Sequence, residues 1–428
     1  MVCFMYGLLK KKLEERKKPV SVAVVGCGWF GAGVVRELFR IRGMRVSAII
    51  SRTPARAAAV YAECGVPEKE VLAAGDSGPV PTKKRILSSD IEIIRQLKGI
   101  DVVFEATGSV LAGAQAALAA VESGKHFVTV NSEMDATIGL RLASIARENG
   151  VVYSNSDGDQ PGCLARLINE ASMMGFRPRV AGNCKGFMDV HQTPKGVLPF
   201  VPRGQDPVKS CSYADGSKQS LELAVVANAF GYPPRKRGMF GPVTTKQGLV
   251  STFGGLADLK SEGPAFVDYV MGINGVDQGA GVFVVASREG ERIRSDMEYM
   301  KKGKGPDYLF FRDHHLCYLE AASSIAEAAL FATPTLAPKG RHAEVIAIAK
   351  RALPAGQRLD GIGGHDCYGL IERADIAAQE NLLPLGLAGF ATLKQDVPKD
   401  APLAYPLVEL EDNPAVRLRK EQERMPLP

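Results

Sequence analysis

The stretch Val22–Gly31, VAVVGCGWFG, constrains the fold of this chain more than any other part of the sequence. A run of β-favouring residues leads directly into a Gly-x-Gly-x-x-Gly pattern formed by Gly26, Gly28 and Gly31. The first glycine permits a tight turn, the second lets the backbone approach a pyrophosphate, and the third lets helix and strand pack closely. The pattern therefore predicts a Rossmann nucleotide-binding domain, with Trp29 and Phe30 as further neighbours of the cofactor.

Strand-like and helix-like segments alternate from this stretch to about residue 152. The strand-like runs are VAVVG, VSAII, DVVFEATG, HFVTVN and VVYSNS, and helical patterns such as GAGVVRELFRI lie between them. Short apolar strands separated by helices predict a doubly wound α/β fold with a parallel sheet. The segment 71–85, with its glycines and prolines, is expected to be a loop.

The chain of 428 residues is too long for a single hydrophobic core and predicts several domains. The segment 231–275 is rich in glycine and proline, which predicts long loops. The regions expected are an N-terminal helix (1–19), the NAD(P)-binding Rossmann domain (20–155), an α+β substrate and catalytic domain (156–340), a small all-β module (341–410) and a charged, solvated tail (411–428).

Composition narrows the classes of partner. The net charge of +6 is spread without a long basic stripe, so no nucleic-acid partner is expected, and the charge suits a small anionic substrate. No apolar run reaches the roughly 18 residues of a membrane span, and the first residues do not form a signal peptide. The eight cysteines lie singly, which favours reduced thiols in a cytoplasmic protein over a disulfide framework or a zinc site.

The residues after the second predicted strand bear on the choice of cofactor. NAD-binding domains usually place an Asp or Glu there to bind the ribose hydroxyls, whereas this chain has Ser51 and Arg52. A hydroxyl and a guanidinium can bind a phosphate, so NADP(H) is favoured, with NAD(H) as the alternative. Arg52 could equally be an ordinary surface residue at a helix start.

Two later strand ends carry further candidates for cofactor binding. Thr107 and Gly108 end the run FEATG (104–108), and Asn131 and Glu133 lie in VTVNSEMDA (128–136). Ligands of open α/β sheets bind at the carboxyl ends of the strands, which places these residues near the cofactor. The alternative is that Asn131 and Ser132 only cap the following helix.

The fingerprint, EATG and VTVNSE together resemble the nucleotide domain of homoserine dehydrogenases. The later motifs GDQP, GNCKG, DGSKQSLELAVVANAFG and LPAGQRLDG are similar to a narrower group, the homoserine-dehydrogenase-like oxidoreductases with a C-terminal SAF domain. The resemblance covers nearly the whole chain and implies an NAD(P)-dependent oxidoreductase whose 341–410 module is SAF-like. A homo-oligomer is expected by the same analogy.

The resemblance also implies alternatives for the substrate. Ser132 stands where homoserine dehydrogenases carry a lysine, which argues against homoserine. One branch of the group acts as a 1-deoxy-D-xylulose 5-phosphate reductoisomerase-like enzyme of isoprenoid precursor synthesis, and this is the first alternative function. The second alternative is a non-catalytic NADP-binding sensor.

The candidate catalytic residues are Lys185 in GNCKG and Lys218 in DGSKQS. Reduction of a carbonyl requires a proton donor and a group that orients the substrate, and an ammonium can serve either purpose. Asp215, three residues before Lys218, is expected to pair with it. The alternative for each lysine is an exposed loop charge.

Four other residues are candidates for substrate binding. Asp159 and Gln160 follow the fifth predicted strand, although Asp159 could instead cap the helix that Pro161 enters. Asp189 and His191 form a second polar pair, in which the histidine could be purely structural. A reductoisomerase also needs a divalent metal, but the sequence does not decide whether the available carboxylates (Asp159, Asp189, Asp215 and Glu222) converge on one.

Overall fold

The computed structural model of the protein describes residues 2–74, 84–201, 205–256, 263–272 and 281–427. The strands are β1 (Val20–Val25), β2 (Met44–Ile50), β3 (Val71–Ala73), β4 (Arg85–Ser88), β5 (Val102–Glu105), β6 (His126–Thr129), β7 (Tyr153–Asn155), β8 (Arg177–Lys185), β9 (Val243–Thr244), β10 (Phe266–Gly272), β11 (Val282–Ser287), β12 (Asp307–Arg312), β13 (Ala343–Ala349), β14 (Cys367–Arg373), β15 (Ala391–Leu393) and β16 (Val408–Leu410).

The helices follow the same chain order. They are α1 (Val2–Glu15), α2 (Trp29–Arg40), α3 (Pro54–Glu63), α4 (Ile93–Gln96), α5 (Val110–Val121), α6 (Ser132–Glu148), α7 (Gln160–Met173), α8 (Pro194–Val197), α9 (Pro207–Ala214), α10 (Ser217–Phe230), α11 (Leu249–Leu256), α12 (Glu291–Tyr299), α13 (Ala321–Phe331), α14 (Ala374–Gln379) and α15 (Pro414–Glu423). None of them, within the residues described, is long and apolar enough to cross a membrane.

The chain divides into two units that are not continuous in sequence. The first contains the described residues of Met1–Gly162, Leu316–Ala337 and Asn413–Arg424. The second contains those of Cys163–His315, Pro338–Asp412 and Met425–Pro428. Residues 341–410, expected from the sequence to be a separate module, are thus grouped with the region around the second sheet.

The first unit is built on a seven-stranded sheet in the order β3-β4-β2-β1-β5-β6-β7. All of its strand pairs are parallel. Strand β1 is buried along nearly its whole length, as expected of a strand covered by helices on both faces. This confirms the doubly wound α/β fold predicted from the alternating segments.

Two details of this unit differ from the sequence interpretation. The expected loop 71–85 begins with strand β3 and ends where β4 starts, and residues 75–83 of it lie outside the described residues. The expected solvated tail is wrong: helix α15 packs on α6, where the buried Arg419 guanidinium donates a hydrogen bond to the Thr137 carbonyl oxygen at 3.1 Å. The tail has many charges because only one side of this amphipathic helix is buried.

The second unit contains a five-stranded mixed sheet in the order β12-β11-β8-β10-β9. Strand β8 lies at its centre, parallel to β10 and antiparallel to β11. Strand β10 and helix α11 both fall within 231–275, so the expectation of long loops there is wrong. The apolar run of β10, FVDYVMG, is interrupted by a charged residue and enclosed by glycines, which conceals the strand in the sequence.

Residues 341–410 contain two antiparallel strand pairs, β13 with β14 and β15 with β16. Short helical segments separate them, among them α14 and the 3-10 stretch Leu385–Phe390. The mainly β content agrees with the sequence interpretation, and its relation to SAF domains stays a prediction.

Asp135, on α6, is a buried acid at the edge of the parallel sheet. Its Oδ2 accepts hydrogen bonds from the Tyr153 hydroxyl at 2.7 Å and from Asn155 Nδ2 at 2.9 Å. Burial nevertheless dominates and raises the pKa of Asp135 to about 6. The folded state therefore binds a proton at this carboxyl more tightly than the unfolded chain does.

We expect Asp135→Asn to remove one source of pH dependence from the stability of the protein. Since the folded pKa lies about two units above the ordinary value, wild-type stability should fall relative to that of the variant as the pH rises from about 4 to 7. The relative loss should approach about 3 kcal/mol. Denaturant unfolding of both proteins at several pH values measures the difference, and a constant difference would contradict the assignment.

Candidate functional site

The three fingerprint glycines occupy positions that exclude larger residues for different reasons. Gly26 has φ +91°, and a Cβ there would lie 2.8 Å from the carbonyl carbon and oxygen of Ala106 on the neighbouring chain segment. A Cβ on Gly31 would lie 2.0 Å from the Gly26 oxygen. A Cβ on Gly28, by contrast, would meet no atom within 4 Å. The turn thus requires glycine at position 26, and the close packing of the helix requires glycine at position 31. Space for a ligand remains above Gly28.

Helix α2 begins directly after this open position. Gly28 is its N-cap, has no side chain to bond the first N–H groups, and is followed by a first turn without acidic residues. Free N–H groups and the helix dipole favour an anion at such an end, which fits the pyrophosphate of a dinucleotide. The residues present therefore fit the cofactor that the fingerprint predicts.

Two aromatic residues extend from the same loop. Trp29 is exposed and makes an edge-to-face contact with Tyr318, with ring centroids 5.2 Å apart. Phe30 is half-buried and contacts the same tyrosine edge-to-face at 6.3 Å. Tyr318 lies almost three hundred residues later in the chain, and nothing in the sequence indicated its place beside the fingerprint.

The end of β2 presents the residues proposed to select NADP. The backbone N–H of Ser51 donates to the Ser88 carbonyl oxygen at 2.8 Å, and its hydroxyl accepts from the Thr53 N–H at 3.2 Å. Arg52 is exposed, and no carboxylate in the described part of the chain pairs with it. Its guanidinium is therefore available to an external anion.

Glu105, at the end of β5, organises the adjacent strand ends. Its carboxylate accepts hydrogen bonds from the Thr107 backbone N–H at 2.7 Å and from the Thr107 hydroxyl, and from the Thr129 hydroxyl at 2.6 Å. Asn131 Nδ2 donates to it at 3.3 Å. Burial raises the pKa of Glu105 despite these bonds. The network fixes the loop of Thr107 and Gly108, and Gly108 has φ +65°.

Asn131 performs the capping role given as its alternative. Its Oδ1 accepts from the Met134 N–H at 3.0 Å at the start of α6, while Nδ2 also donates to the Ser109 carbonyl oxygen at 3.0 Å. Glu133 lies half-buried in the first turn of α6. Cofactor binding by these two residues stays a prediction.

Asp159 and Gln160 belong to the first unit, whereas the remaining candidates belong to the second. Helix α7 begins at Gln160, directly after Asp159, so the position expected for a helix start is confirmed. Gln160 is buried and Asp159 half-buried. Whether Asp159 caps the helix or binds substrate is not decided by these positions.

In the second unit, the expected pairing of Asp215 with Lys218 is wrong. Asp215 Oδ2 instead accepts a hydrogen bond from Lys350 Nζ at 2.7 Å, and both side chains are buried. The same ammonium donates to the carbonyl oxygens of Gln192 and Gly364, both at 2.7 Å. Burial raises the pKa of Asp215, and Lys350 opposes that shift. This carboxylate therefore holds chain segments together, which also argues against its use as a metal ligand.

Lys218 lies in the first turn of α10 and is buried, so the alternative of an exposed loop charge is excluded for it. Its Nζ lies 4.0 Å from Glu222 Oε1, one turn further along the helix. At this separation the two opposite charges attract each other. A buried lysine beside a carboxylate is a group that can hold and transfer a proton.

Lys185, Asp189 and His191 lie along the segment that leaves β8. Lys185 is the last residue of β8 and is half-buried. Asp189 Oδ1 accepts a hydrogen bond from the His191 N–H at 3.1 Å, and His191 Nε2 lies 2.6 Å from Asp400 Oδ1. The His191–Asp400 contact lowers the pKa of Asp400. The imidazole thus bridges two segments of the second unit.

Two consecutive parts of the chain match known families. Residues 26–155 match the homoserine dehydrogenase NAD-binding domain, and residues 158–321 match the catalytic domain of oxidoreductase DRL. The border between the two matches coincides with the end of the parallel sheet. The first match contains the candidate cofactor-binding residues, and the second contains the candidate catalytic and substrate-binding residues.

Individual relatives are more distant. The chain is 31% identical over 146 residues to homoserine dehydrogenase of Pseudomonas aeruginosa, covering 32% of this chain and 29% of that protein. It is 29% identical over 136 residues to the Neisseria gonorrhoeae homoserine dehydrogenase, covering 32% and 28%. The chain thus spans less than a third of the length of these curated relatives.

Solved structures align with more of the chain than these relatives do, at lower sequence identity. A probable dehydrogenase from Thermotoga maritima aligns with a TM-score of 0.42 at 13% identity, covering 73% of this chain and 90% of that chain. A 1-deoxy-D-xylulose 5-phosphate reductoisomerase from Zymomonas mobilis, solved with NADPH, aligns with a TM-score of 0.40 at 14% identity, covering 72% and 81%.

Proposed function

We propose that this chain, which joins an NAD-binding domain of the homoserine dehydrogenase type to an oxidoreductase catalytic domain of the DRL type, is an NADP(H)-dependent oxidoreductase of small anionic carbonyl or hydroxy compounds. The observation that carries the proposal is the strand-edge geometry around Gly28 and Arg52. It combines open space above the middle glycine with an exposed guanidinium where NAD enzymes carry an acid.

Preference for NADP(H) follows from charge at the end of β2. A carboxylate at this position would hydrogen-bond the ribose hydroxyls of NAD and repel the additional phosphate of NADP. Arg52 offers two parallel N–H donors to that phosphate, and the Ser51 hydroxyl lies beside it in the sequence. No described residue competes for the guanidinium as an ion-pair partner.

The bound cofactor supplies or accepts the hydride. The protein must bind and orient the substrate and must supply or accept the proton. In the reducing direction, the carbonyl oxygen gains negative charge and must receive a proton. Lys218 Nζ is proposed to hold that proton and to donate it to the oxygen, after which the amine recovers a proton from water. Lys185 is proposed to bind the anionic group of the substrate, with Asp159, Gln160, Asp189 and His191 as further binding candidates.

NADPH oxidation against a panel of phosphorylated and carboxylated carbonyls tests the proposal. The panel includes 1-deoxy-D-xylulose 5-phosphate, with and without added Mg²⁺, because a reductoisomerase is the sharper alternative and uses a divalent metal. Oxidation of homoserine with NADP⁺ is measured as well. NADPH binding without turnover of any compound would refute the oxidoreductase proposal and support the sensor alternative.

We expect Arg52→Asp to weaken NADPH binding by about 10–100-fold, since one charge-assisted contact to the additional phosphate would be lost. NADH, which lacks this phosphate, should bind at least as well as to the wild type. Fluorescence titration with both cofactors provides the dissociation constants. Arg42→Asp is the matched control, because Arg42 is also exposed but lies before β2, at the opposite end of that strand. Equal NADPH affinity in wild type and Arg52→Asp would contradict the assignment.

A further inference from the structure

The segment that follows β9 carries a second lysine, Lys246, toward the end of β8. Strand β9 lies at one edge of the second sheet, and Lys246 comes shortly after it in the chain. Val243 of β9 pairs with Met271 of β10, which pairs in turn with Lys185 of β8. These three residues therefore lie at the same level of the sheet, and the chain leaves β9 where β8 ends.

The Lys246 side chain reaches as far as the opposite edge of this sheet. Its Nζ lies 4.2 Å from the centroid of the Phe311 ring on β12, which is the other edge strand. Strands β10, β8 and β11 lie between β9 and β12, so the residues from Thr244 to Lys246 cross the sheet near the end of β8.

Cys184 gives a second indication that Lys246 lies close to Lys185. Cys184 precedes Lys185 on β8 and packs in the same apolar cluster as Phe311. Burial raises the pKa of the Cys184 thiol to about 12, and the positive charges of Lys185 and Lys246 oppose that shift. Both ammonium groups thus act on the end of the same strand.

The charge of Lys246 is not neutralised by an acid. Lys246 is exposed, and no carboxylate of the described ranges forms an ion pair with it. The carboxylate of Asp313, which follows β12, instead contacts His314 Nδ1 at 2.6 Å. The Phe311 ring orients the ammonium group without cancelling its charge. Two positive charges near one strand end repel each other, and an anion bound beside them relieves this repulsion.

We infer that Lys246 binds the anionic part of the substrate together with Lys185, and that this pair selects compounds with two negative charges over compounds with one. The inference rests on the proposed function, in which Lys185 binds the anionic group. One ammonium group is sufficient to contact a single negative charge, whereas a second negative charge gives the other ammonium group a partner.

The test compares wild type with Lys246→Met, which retains an apolar contact with the Phe311 ring but carries no charge. The probes are 2-oxoglutarate and 2-oxopentanoate, five-carbon 2-oxo acids with two carboxylates and one carboxylate. Their binding is measured by titration calorimetry in the presence of NADP⁺. We expect wild type to bind 2-oxoglutarate about tenfold more tightly than 2-oxopentanoate, and Lys246→Met to bind both equally. The affinity for NADP⁺ should not change.

Three further variants separate the charge of Lys246 from its packing. Lys246→Arg keeps the charge and should keep the preference for 2-oxoglutarate. Lys246→Gln gives a second uncharged side chain, should the methionine variant fold poorly. Lys339→Met is the matched control, because Lys339 is also exposed and its Nζ lies 6.0 Å from the centroid of an aromatic ring, that of Phe230. This control should bind both probes as wild type does.

The outcomes distinguish this inference from the proposed function. Equal affinity of wild type for the two probes, or binding of neither, would overturn the inference, and so would a preference that persists in both uncharged variants of Lys246. Turnover of any anionic carbonyl of the panel would leave the proposed function standing in these cases. A preference for 2-oxoglutarate that is lost in the uncharged variants, without NADPH oxidation by any compound, would support the inference and refute the proposed function.

Discussion

Lys218→Met is expected to lower kcat for carbonyl reduction by about 10²–10⁴-fold, the usual contribution of a positioned proton donor. Methionine retains the length of the side chain and its packing but cannot hold a proton. The dissociation constant of NADPH should stay within about twofold of wild type, because the cofactor cradle belongs to the first unit. Steady-state kinetics with the best substrate of the panel, together with cofactor titration, provide both quantities.

Two companion variants define the role of the lysine. Lys218→Arg retains the positive charge but cannot release a proton at neutral pH, so it should remain as slow as Lys218→Met if Lys218 is the donor. Recovery of activity in Lys218→Arg would instead assign Lys218 to anion binding. Lys185→Met, at the end of β8, should raise KM more than it lowers kcat if Lys185 binds the anionic group. An unchanged kcat in Lys218→Met would remove the assignment.

Lys350→Met is expected to lower the free energy of unfolding by about 3–5 kcal/mol, as found when one partner of a buried ion pair is removed. The variant leaves the Asp215 carboxylate buried without its counter-charge, and two carbonyl oxygens lose the same donor. Denaturant unfolding measures the change. The double variant Lys350→Met/Asp215→Asn should recover part of it, because the buried charge is then absent.

Arg351→Met is the control for this experiment, one residue further along the chain. Its guanidinium pairs with the buried Asp366 at 2.7 Å but is itself half-exposed, and Asp366 also accepts a hydrogen bond from the Asp360 N–H at 3.1 Å, so removal of Arg351 should cost clearly less than removal of Lys350. If Lys350→Met and Arg351→Met proved equally mild, the ion pair of Lys350 with Asp215 could not be the main connection between these segments.

The nucleotide-binding fold was predictable because its determinants are local. Gly26 has a positive φ at the end of β1, and Gly31 packs against the Gly26 oxygen, so both constraints arise within a few residues of β1 and α2. The alternating apolar strands predict a parallel sheet. Helix α15 shows the opposite case. Most of its charged residues lie on the exposed side of the helix, and they suggest a solvated tail. Arg419 is nevertheless buried, and it contacts Thr137, which is far away in the sequence.

The candidate site was predictable where a residue's role depends on its own strand or helix. Arg52 was selected because the end of a strand is visible in the sequence, and Lys218 because its surroundings are polar and flanked by glycine; the roles of both residues stay predictions. Lys350 was missed and Asp215 was paired wrongly, because their bond joins segments 135 residues apart. Two weaker signals were present: Glu105 ends the apolar strand β5, and Lys350 directly follows β13. Burial of a charge at such a position requires partners.

The arrangement of the first unit also sets the order in which it can be completed during synthesis. Its parallel sheet leaves the ribosome early, but α15 is separated from Gly162 by about 250 residues that belong almost entirely to the second unit. At translation rates of about 5–20 residues per second, this delay is on the order of 10–50 s. For that time the surface of α6 that later accepts Arg419 is not covered by α15, so nearly all of the second unit is synthesised before the first unit has its last helix.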